Sequence, residues 1–372
     1  LTDRIAIIEC FCLEGSQASD QWGPAYGFLV KVTTTDGIVG FGESDTMPTI
    51  AAAAIEAAAI NPMVTGLREV LVGTAAEPQT AWRRMRHAVI QYGRDGVVMH
   101  AMAAIDIALW DIVGKRAKQP TAVLLGGIQH DRLRCYGTHP LGSLPAESAS
   151  HARRLVEQGF TAVKFGWPPL GAEAHTDEAI VAALRKAIGP SVDLLIDGGM
   201  AWDVPVALAR LELLHPHRLF WLEEPLEAYD VAAYSDLRKA SNTPIVAGEM
   251  AANGSELKQL VAAGGVDILQ IDVSRTGLTQ AIEIANYANS REVAVVNHTY
   301  GHLINAAASA HLLAAAQVIS LYECQTAANE IRDALGQGQL QPRSGWLDLP
   351  TGPGLGVDID EAVLRHFSKG QR

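Results

Sequence analysis

Cysteine is scarce here, and none of it sits in a metal or redox pattern. Cys10, Cys12, Cys135 and Cys324 form no CxxC pair, and Cys10-Phe11-Cys12 has the spacing of a strand. Free thiols in a reducing cytoplasm are the expected state. No signal peptide is visible, and apolar runs such as residues 50–60 are short and Ala-rich, which argues against a membrane partner. Basic residues are outnumbered. The 29 Lys and Arg face 41 Asp and Glu, giving a formal net charge of −12. This disfavours nucleic acid and anionic membranes as partners. It does not disfavour an anionic small substrate, because a bound metal can reverse the local potential. No GxGxxG follows the first strand, which weakens an open dinucleotide-binding sheet. No sequence repeat is evident.

What is present is ordinary globular material, 48% hydrophobic and 19% charged, in a chain long enough for two domains. The first third predicts strands over residues 4–13, 25–35 and 37–43, the last two joined at Asp36-Gly37, a strong hairpin signal. Residues 14–24 and 44–49 are predicted to be loops. Ala-rich helices are predicted over 50–59, 77–91 and 96–116, the last with Met99, Ala103, Ile107 and Trp110 at helical spacing. From residue 132 strands and helices alternate. Strands are expected at 132–137, 162–165, 192–197, 219–223, 245–249, 267–272, 294–298 and 319–323, with seven helical patterns between them. That order predicts an α/β fold with a closed parallel (β/α) barrel of modified TIM type; an open doubly wound sheet is the alternative. The expected organisation is an α+β unit over 1–127, a barrel over 128–325, and a Pro/Gly-rich tail over 326–372. The tail is expected to pack back on the first unit without extending the barrel.

Three apolar strand segments end in acids: Asp197, Glu223 and Glu249, each 26 residues from the next. A strand with its return helix takes about that length, so the acids emerge together at one end of a parallel sheet. Converging carboxylates repel unless a cation lies between them, and such hard oxygen donors suit Mg²⁺ better than Zn²⁺. Active sites of these barrels lie at the carboxyl ends of the strands. There the chain also places Lys164, Asp272, His298 and Glu323. An Asp beside a His orients it and raises its basicity, which prepares an acid/base catalyst. Lys164 can neutralise a substrate carboxylate or act as acid or base, and Glu323 can hydrogen-bond there. His302, Glu224 and Glu227 read as supporting or solvated residues. The set suits removal of a proton α to a carboxylate, with a cation stabilising the enediolate. Return of the proton racemises the substrate; loss of a β-hydroxyl dehydrates it.

With these residues placed, the chain resembles the enolase superfamily, in its mandelate racemase subgroup, over nearly its whole length. In the first unit the resemblance rests on Gly40-Phe41-Gly42-Glu43, on residues 104–111 (AIDIALWD) and on Leu124-Leu125-Gly126-Gly127. In the barrel it rests on Trp221-Leu222-Glu223-Glu224-Pro225, Ala247-Gly248-Glu249 and the Asp272/His298 pair, and in the tail on Gly352-Pro353-Gly354-Leu355-Gly356. It implies a capping domain whose two early loops close over the barrel mouth, Mg²⁺ on Asp197, Glu223 and Glu249, a His298–Asp272 dyad, and a homo-oligomer. One departure is informative. Many members carry Lys-x-Lys where this chain has Lys164-Phe165-Gly166, so the second lysine of a two-base racemase is missing. The resemblance then implies dehydration of a sugar acid, an aldonate or aldarate, to a 2-keto-3-deoxy acid. The alternative is a racemase, epimerase or cycloisomerase using the same enediolate. Gln21, Trp22, Tyr26, Asp45, Thr46 and Met47 of the cap loops, with Trp167 and Trp202, are expected to touch the substrate's distal hydroxyls.

Overall fold

The computed structural model describes residues 3–20, 23–61 and 63–368. Gln21 and Trp22 lie outside them. The amino-terminal sheet has order β1-β2-β3, with β1 Ile5–Asp20, β2 Gly23–Thr34 and β3 Val39–Ser44, all antiparallel. The predicted Asp36-Gly37 turn is present. Gly37 has φ 84°, which glycine adopts without strain, and its N–H donates to the Thr34 carbonyl at 2.9 Å. Within the stretch 14–24, predicted to be a loop, the described residues 14–20 and 23–24 are instead the outer part of a two-stranded arm. The ladder runs on to Asp20↔Gly23, with register shifts after Glu14 and Ala18. Backbone pairing needs no apolar side chains, so a polar stretch carries it as well as an apolar one.

The helix Val97–Ala117 is long and apolar enough to cross a membrane, but most of it is buried inside the protein. An all-round apolar helix in this setting is a core element. It packs against β3 at very short range. A Cβ at Gly42 would collide with the carbonyl of Ala104, and one at Gly40 with that of Ala108. The Gly-Phe-Gly spacing on a strand thus matches an Ala pair four apart on the helix.

Eight parallel strands among the described residues form the barrel: β4 Arg132–Pro140, β5 Ala162–Gly166, β6 Asp193–Asp197, β7 Leu219–Glu223, β8 Ile245–Ala247, β9 Ile268–Ile271, β10 Ala294–Asn297 and β11 Tyr322–Gln325. They pair in chain order from β4 to β10, and β11 pairs back on β4. The gap between β10 and β11 is closed by a bridge from Val295 to Ile319. A helix or helical pair links each strand to the next, as the sequence predicts. The tail differs from expectation in one respect. Its strand β12 Trp346–Asp348 pairs antiparallel with the start of β4, so it does extend the barrel sheet. It also reaches the first unit: the Leu355 N–H donates to Asp111 (2.9 Å), and Lys31 pairs with Glu361 (2.7 Å).

Candidate active site

The barrel interior is layered. Tyr136, Ala162, Leu195, Trp221, Val246, Val296 and Leu321 make a buried apolar floor. On a strand, the next side chain on the same face comes two residues later. That step places Thr138, Lys164, Asp197, Glu223, His298 and Glu323 in one buried layer, and Gln270 to Asp272 repeats it. β8 departs from the rule. It ends at Ala247, and Gly248 has φ 135°, so Glu249 joins the layer three residues after Val246. A Cβ at Gly248 would strike the Gln270 carbonyl, which leaves glycine as the residue that fits.

Asp197, Glu223 and Glu249 each bring a carboxylate oxygen within 4.8 Å of the others. Neighbours hold them in place. Gln270 Nε2 donates to Glu223 at 2.9 Å and Trp221 Nε1 at 3.1 Å; the Gly199 N–H donates to Asp197 at 2.9 Å and Trp167 Nε1 at 3.2 Å. Glu224, expected as a supporting or solvated acid, is buried. It accepts the N–H groups of Gly248 (3.1 Å) and Met250 (3.3 Å), fixing the turn that carries Glu249. Lys164 reaches Glu223, Glu323 (2.8 Å) and Asp197 (3.8 Å). His298 Nδ1 lies 2.8 Å from Asp272, and its Nε2 lies 3.3 Å from Glu249. Asp272 is held by the Ser274 N–H (2.7 Å) and by Arg275 (3.6 Å).

The electrostatics test the fit of a cation. Burial pushes the carboxyls of Asp197 and Glu249 up, and Glu223 up to about 7 with Lys164 opposing. Buried acids in such company are costly as anions, and a divalent cation among their oxygens removes the cost. The donor set is all oxygen, as Mg²⁺ prefers, so these residues fit the ion. Burial alone would lower the His298 imidazole; Glu249 and the hydrogen bond with Asp272 outweigh it and push it up to about 10. Burial alone would raise Asp272, but His298 and Arg275 hold it below the usual carboxylate range. Glu323 is likewise held low by Lys164 against burial, and Lys164 is raised well above its ordinary value by Glu223 and Glu323 against burial.

Above this layer opens a cavity of about 360 Å³, lined by Lys164, Asp197, Glu249, His298 and Glu323 from the barrel and by Tyr26, Gly27, Glu43 and Asp45 from the amino-terminal sheet and the loop after it. Of the expected substrate contacts, Tyr26, Asp45 and Trp167 line it. Thr46 and Trp202 do not. Thr46 Oγ1 is 3.1 Å from His100, and Trp202 is packed in the core with its backbone N–H donating to the Pro225 carbonyl at 3.0 Å. Met47 is exposed at the start of helix Pro48–Glu56, outside the lining. Several lining residues escaped the sequence reading: Arg275, Tyr300, Gln325 and Asn329, while His302, read as a supporting residue, lines the cavity too. Arg275 had a usable signal, three residues beyond Asp272 on the following helix. It bridges to the cap at Asp45 (3.4 Å) and donates to the Glu249 carbonyl (2.7 Å). The missing second lysine has a steric reason. A Cβ at Gly166 would collide with Asp197, and the indole N–H of Trp167 occupies the adjoining contact.

Two family models cover this architecture: the mandelate racemase/muconate lactonizing enzyme N-terminal domain over residues 23–126, and the enolase C-terminal domain-like family over residues 147–363. The chain therefore belongs to the enolase superfamily, in the mandelate racemase/muconate lactonizing enzyme family, and it is an enzyme. It is 33% identical to a D-galactonate dehydratase of Ralstonia pickettii over 93% of this chain and 92% of that one. It is 29% identical to a D-galactarolactone cycloisomerase of Agrobacterium fabrum over 91% and 90%. The crystal structure of a 3,6-anhydro-D-galactonate cycloisomerase from Zobellia galactanivorans superposes with a TM-score of 0.89 at 31% identity, covering 98% of this chain and 99% of that one.

Proposed function

We propose that the chain is a Mg²⁺-dependent sugar-acid dehydratase. It removes the α-proton of an aldonate or aldarate and expels the β-hydroxyl to give a 2-keto-3-deoxy acid. Asp197, Glu223 and Glu249 would hold the ion, which when bound supplies positive charge against the substrate carboxylate. His298 takes the α-proton at Nε2, while Asp272 holds the Nδ1–H and stabilises the imidazolium. With Glu249 neutralised by a bound cation, the upward pull on His298 would fall to that of Asp272 and, more weakly, Glu323, which suits a base. The same imidazolium then protonates the departing hydroxyl. Lys164, held by Glu323, contributes charge beside the substrate carboxylate. Residues 1–127 act as the cap, 128–325 as the catalytic barrel, and 326–372 as the segment that fastens one to the other. None of the four cysteines is in a disulfide, which suits a reducing, cytoplasmic setting, and the family resemblance supports a homo-oligomer.

One observation carries this reading: His298 is an oriented imidazole beside the acid cluster, while the second-base position is a glycine with no room for a side chain. The relatives named cycloisomerases favour a second reading. There the β-oxygen belongs to a ring, so the same elimination opens the ring and the leaving group stays attached. Proton NMR in D₂O over a panel of sugar acids and their lactones and anhydro forms separates the readings. A 2-keto-3-deoxy product from an open acid supports dehydration, and one from a cyclic acid alone supports cycloisomerisation. Deuterium at the α-carbon without elimination sinks both in favour of a racemase or epimerase.

A further inference from the structure

The proposed chemistry leaves one buried pair on the cavity wall unused. Glu43 on β3 and His302, just before helix Leu303–Ala315, both line the cavity. Glu43 accepts the N–H groups of His302, Ile304 (3.1 Å) and Asn305 (2.9 Å), and so caps that helix from the neighbouring domain. Its Oε1 is also 3.0 Å from His302 Nδ1. Every one of these contacts requires the carboxylate to accept, as an ionised carboxylate does. In the neutral ring Nδ1 therefore carries the proton and Nε2 the lone pair. Nε2 is buried and meets no hydrogen-bond partner among the described residues; the whole residue is 4% exposed. A buried ring nitrogen without a partner is costly, and such groups concentrate where a ligand completes them. The backbone makes room for this pair. A Cβ at Gly27 would come 2.7 Å from His302 Cε1, and one at Gly301 would strike Glu43.

We propose that His302 is a specificity-determining residue whose Nε2 accepts a hydrogen bond from a hydroxyl on the substrate's tail, beyond the reacting C2–C3 unit. This rests on the sugar-acid reading above. His302 is borne by the cap-facing wall with Gly27, not by the strand-end layer that holds the acids and the dyad. A lone pair there welcomes an O–H and repels a carboxylate. The preferred substrate is then an aldonate, with a polyhydroxy tail, over an aldarate, with a second acid.

The test uses His302→Asn, whose amide can still donate to Glu43 but has no atom at the Nε2 position. Three probes are compared at pH 8 with Mg²⁺: the hexonate that reacts fastest in the panel, starting with D-galactonate; the tetronate sharing its C2 and C3 configuration, which for D-galactonate is L-threonate; and the matching hexarate. The ratio of kcat/KM for hexonate over tetronate is expected to fall about tenfold, mostly through KM. His302→Gln, which returns an amide near the lost lone pair, should recover part of that ratio. Unchanged kcat/KM on both hexonate and tetronate would leave His302 as a partner of the helix-capping Glu43 only. Equal losses on hexonate and tetronate would move it into the chemistry, and a wild-type preference for the hexarate would contradict the hydroxyl assignment; each overturns the proposal. If the wild type exchanges no α-proton with any acid, the sugar-acid reading itself has failed, and this inference with it.

Discussion

The strand-end layer of the barrel and the cap-facing wall share one cavity but are built differently. In the layer, Lys164, Asp197, Glu223, His298 and Glu323 each stand two residues beyond an apolar floor residue on the same strand, as with Leu195 and Asp197, Trp221 and Glu223, or Leu321 and Glu323. Position there follows from strand period and register, and neighbouring strands hold it rigid. On the wall, Tyr26 and Asp45 meet the barrel through contacts between distant segments: Tyr26 to Asp45 at 3.5 Å and Asp45 to Arg275 at 3.4 Å. The lesson is a division of labour. On the proposed function, chemistry sits where the backbone is stiff, and substrate selection sits where a loop can change without disturbing the barrel.

The largest test of that division strikes the layer itself. Removing the divalent ion with EDTA, or replacing Glu249 by Gln, is expected to abolish turnover, a loss of about 10³-fold or more. Calorimetric titration with Mg²⁺ should show binding to the wild type and a large loss of affinity in the variant. Full activity in chelator would remove the ion from the mechanism. Next comes His298→Asn, which keeps a hydrogen-bonding group toward Asp272 but no base. Turnover and α-proton exchange should drop about 10²- to 10⁴-fold while Mg²⁺ affinity stays within a few-fold. Unchanged turnover would show that the proton leaves to another group.

Asp45→Asn probes the wall. It removes an anion from Arg275 and from the Tyr26 hydroxyl without touching the acid layer. The comparison expects KM to rise about 3- to 10-fold with kcat changed by less than about threefold. If kcat falls as far as in His298→Asn, the two regions are not separable. Arg275, which also contacts Asp272 at 3.6 Å, would then be the link that joins them.

The contrast also explains what could be read from the chain before folding. The eight strands and the seven ionisable strand ends that gather in one buried layer were legible because period and spacing are local properties. The extent of the β1–β2 arm was not, because a ladder between polar strands leaves no apolar signature. Trp202 and Thr46 looked like loop residues, yet one is core and the other turns to His100; only tertiary packing decides between those fates. The strand that the tail adds to β4 is three residues long, too short for a period to show. His302 and Glu43 lie 259 residues apart. Nothing in either stretch announces the other.

The smallest expected effect lies at the seam between the two regions. Asp106, on the buried cap helix, accepts the N–H of Thr279 at 2.8 Å and its hydroxyl at 2.6 Å, while Trp110 donates to that hydroxyl at 2.9 Å. Gly277 beside it has φ 69°, and a Cβ there would come 2.8 Å from the carboxylate. Burial, opposed by the Thr279 hydrogen bonds, raises the Asp106 carboxyl from 3.8 to about 7. The folded state therefore holds this proton more tightly than the unfolded chain does. Its contribution to stability is full below the unfolded value, falls as pH rises from about 4 to about 7, and then levels off. Asp106→Asn keeps the shape, and its amide can take the Thr279 N–H on oxygen and donate to the hydroxyl from nitrogen, with no charge to bury. In saturating Mg²⁺, which keeps the acid triad from titrating, the wild type should lose melting temperature relative to the variant between pH 5 and pH 7, and the two curves should run parallel above pH 8. Parallel curves across the whole range would mean that Asp106 is already ionised at pH 5. The seam would then be held by a buried anion, and the cap would be bound to the barrel by charge rather than by a neutral hydrogen-bonded pair.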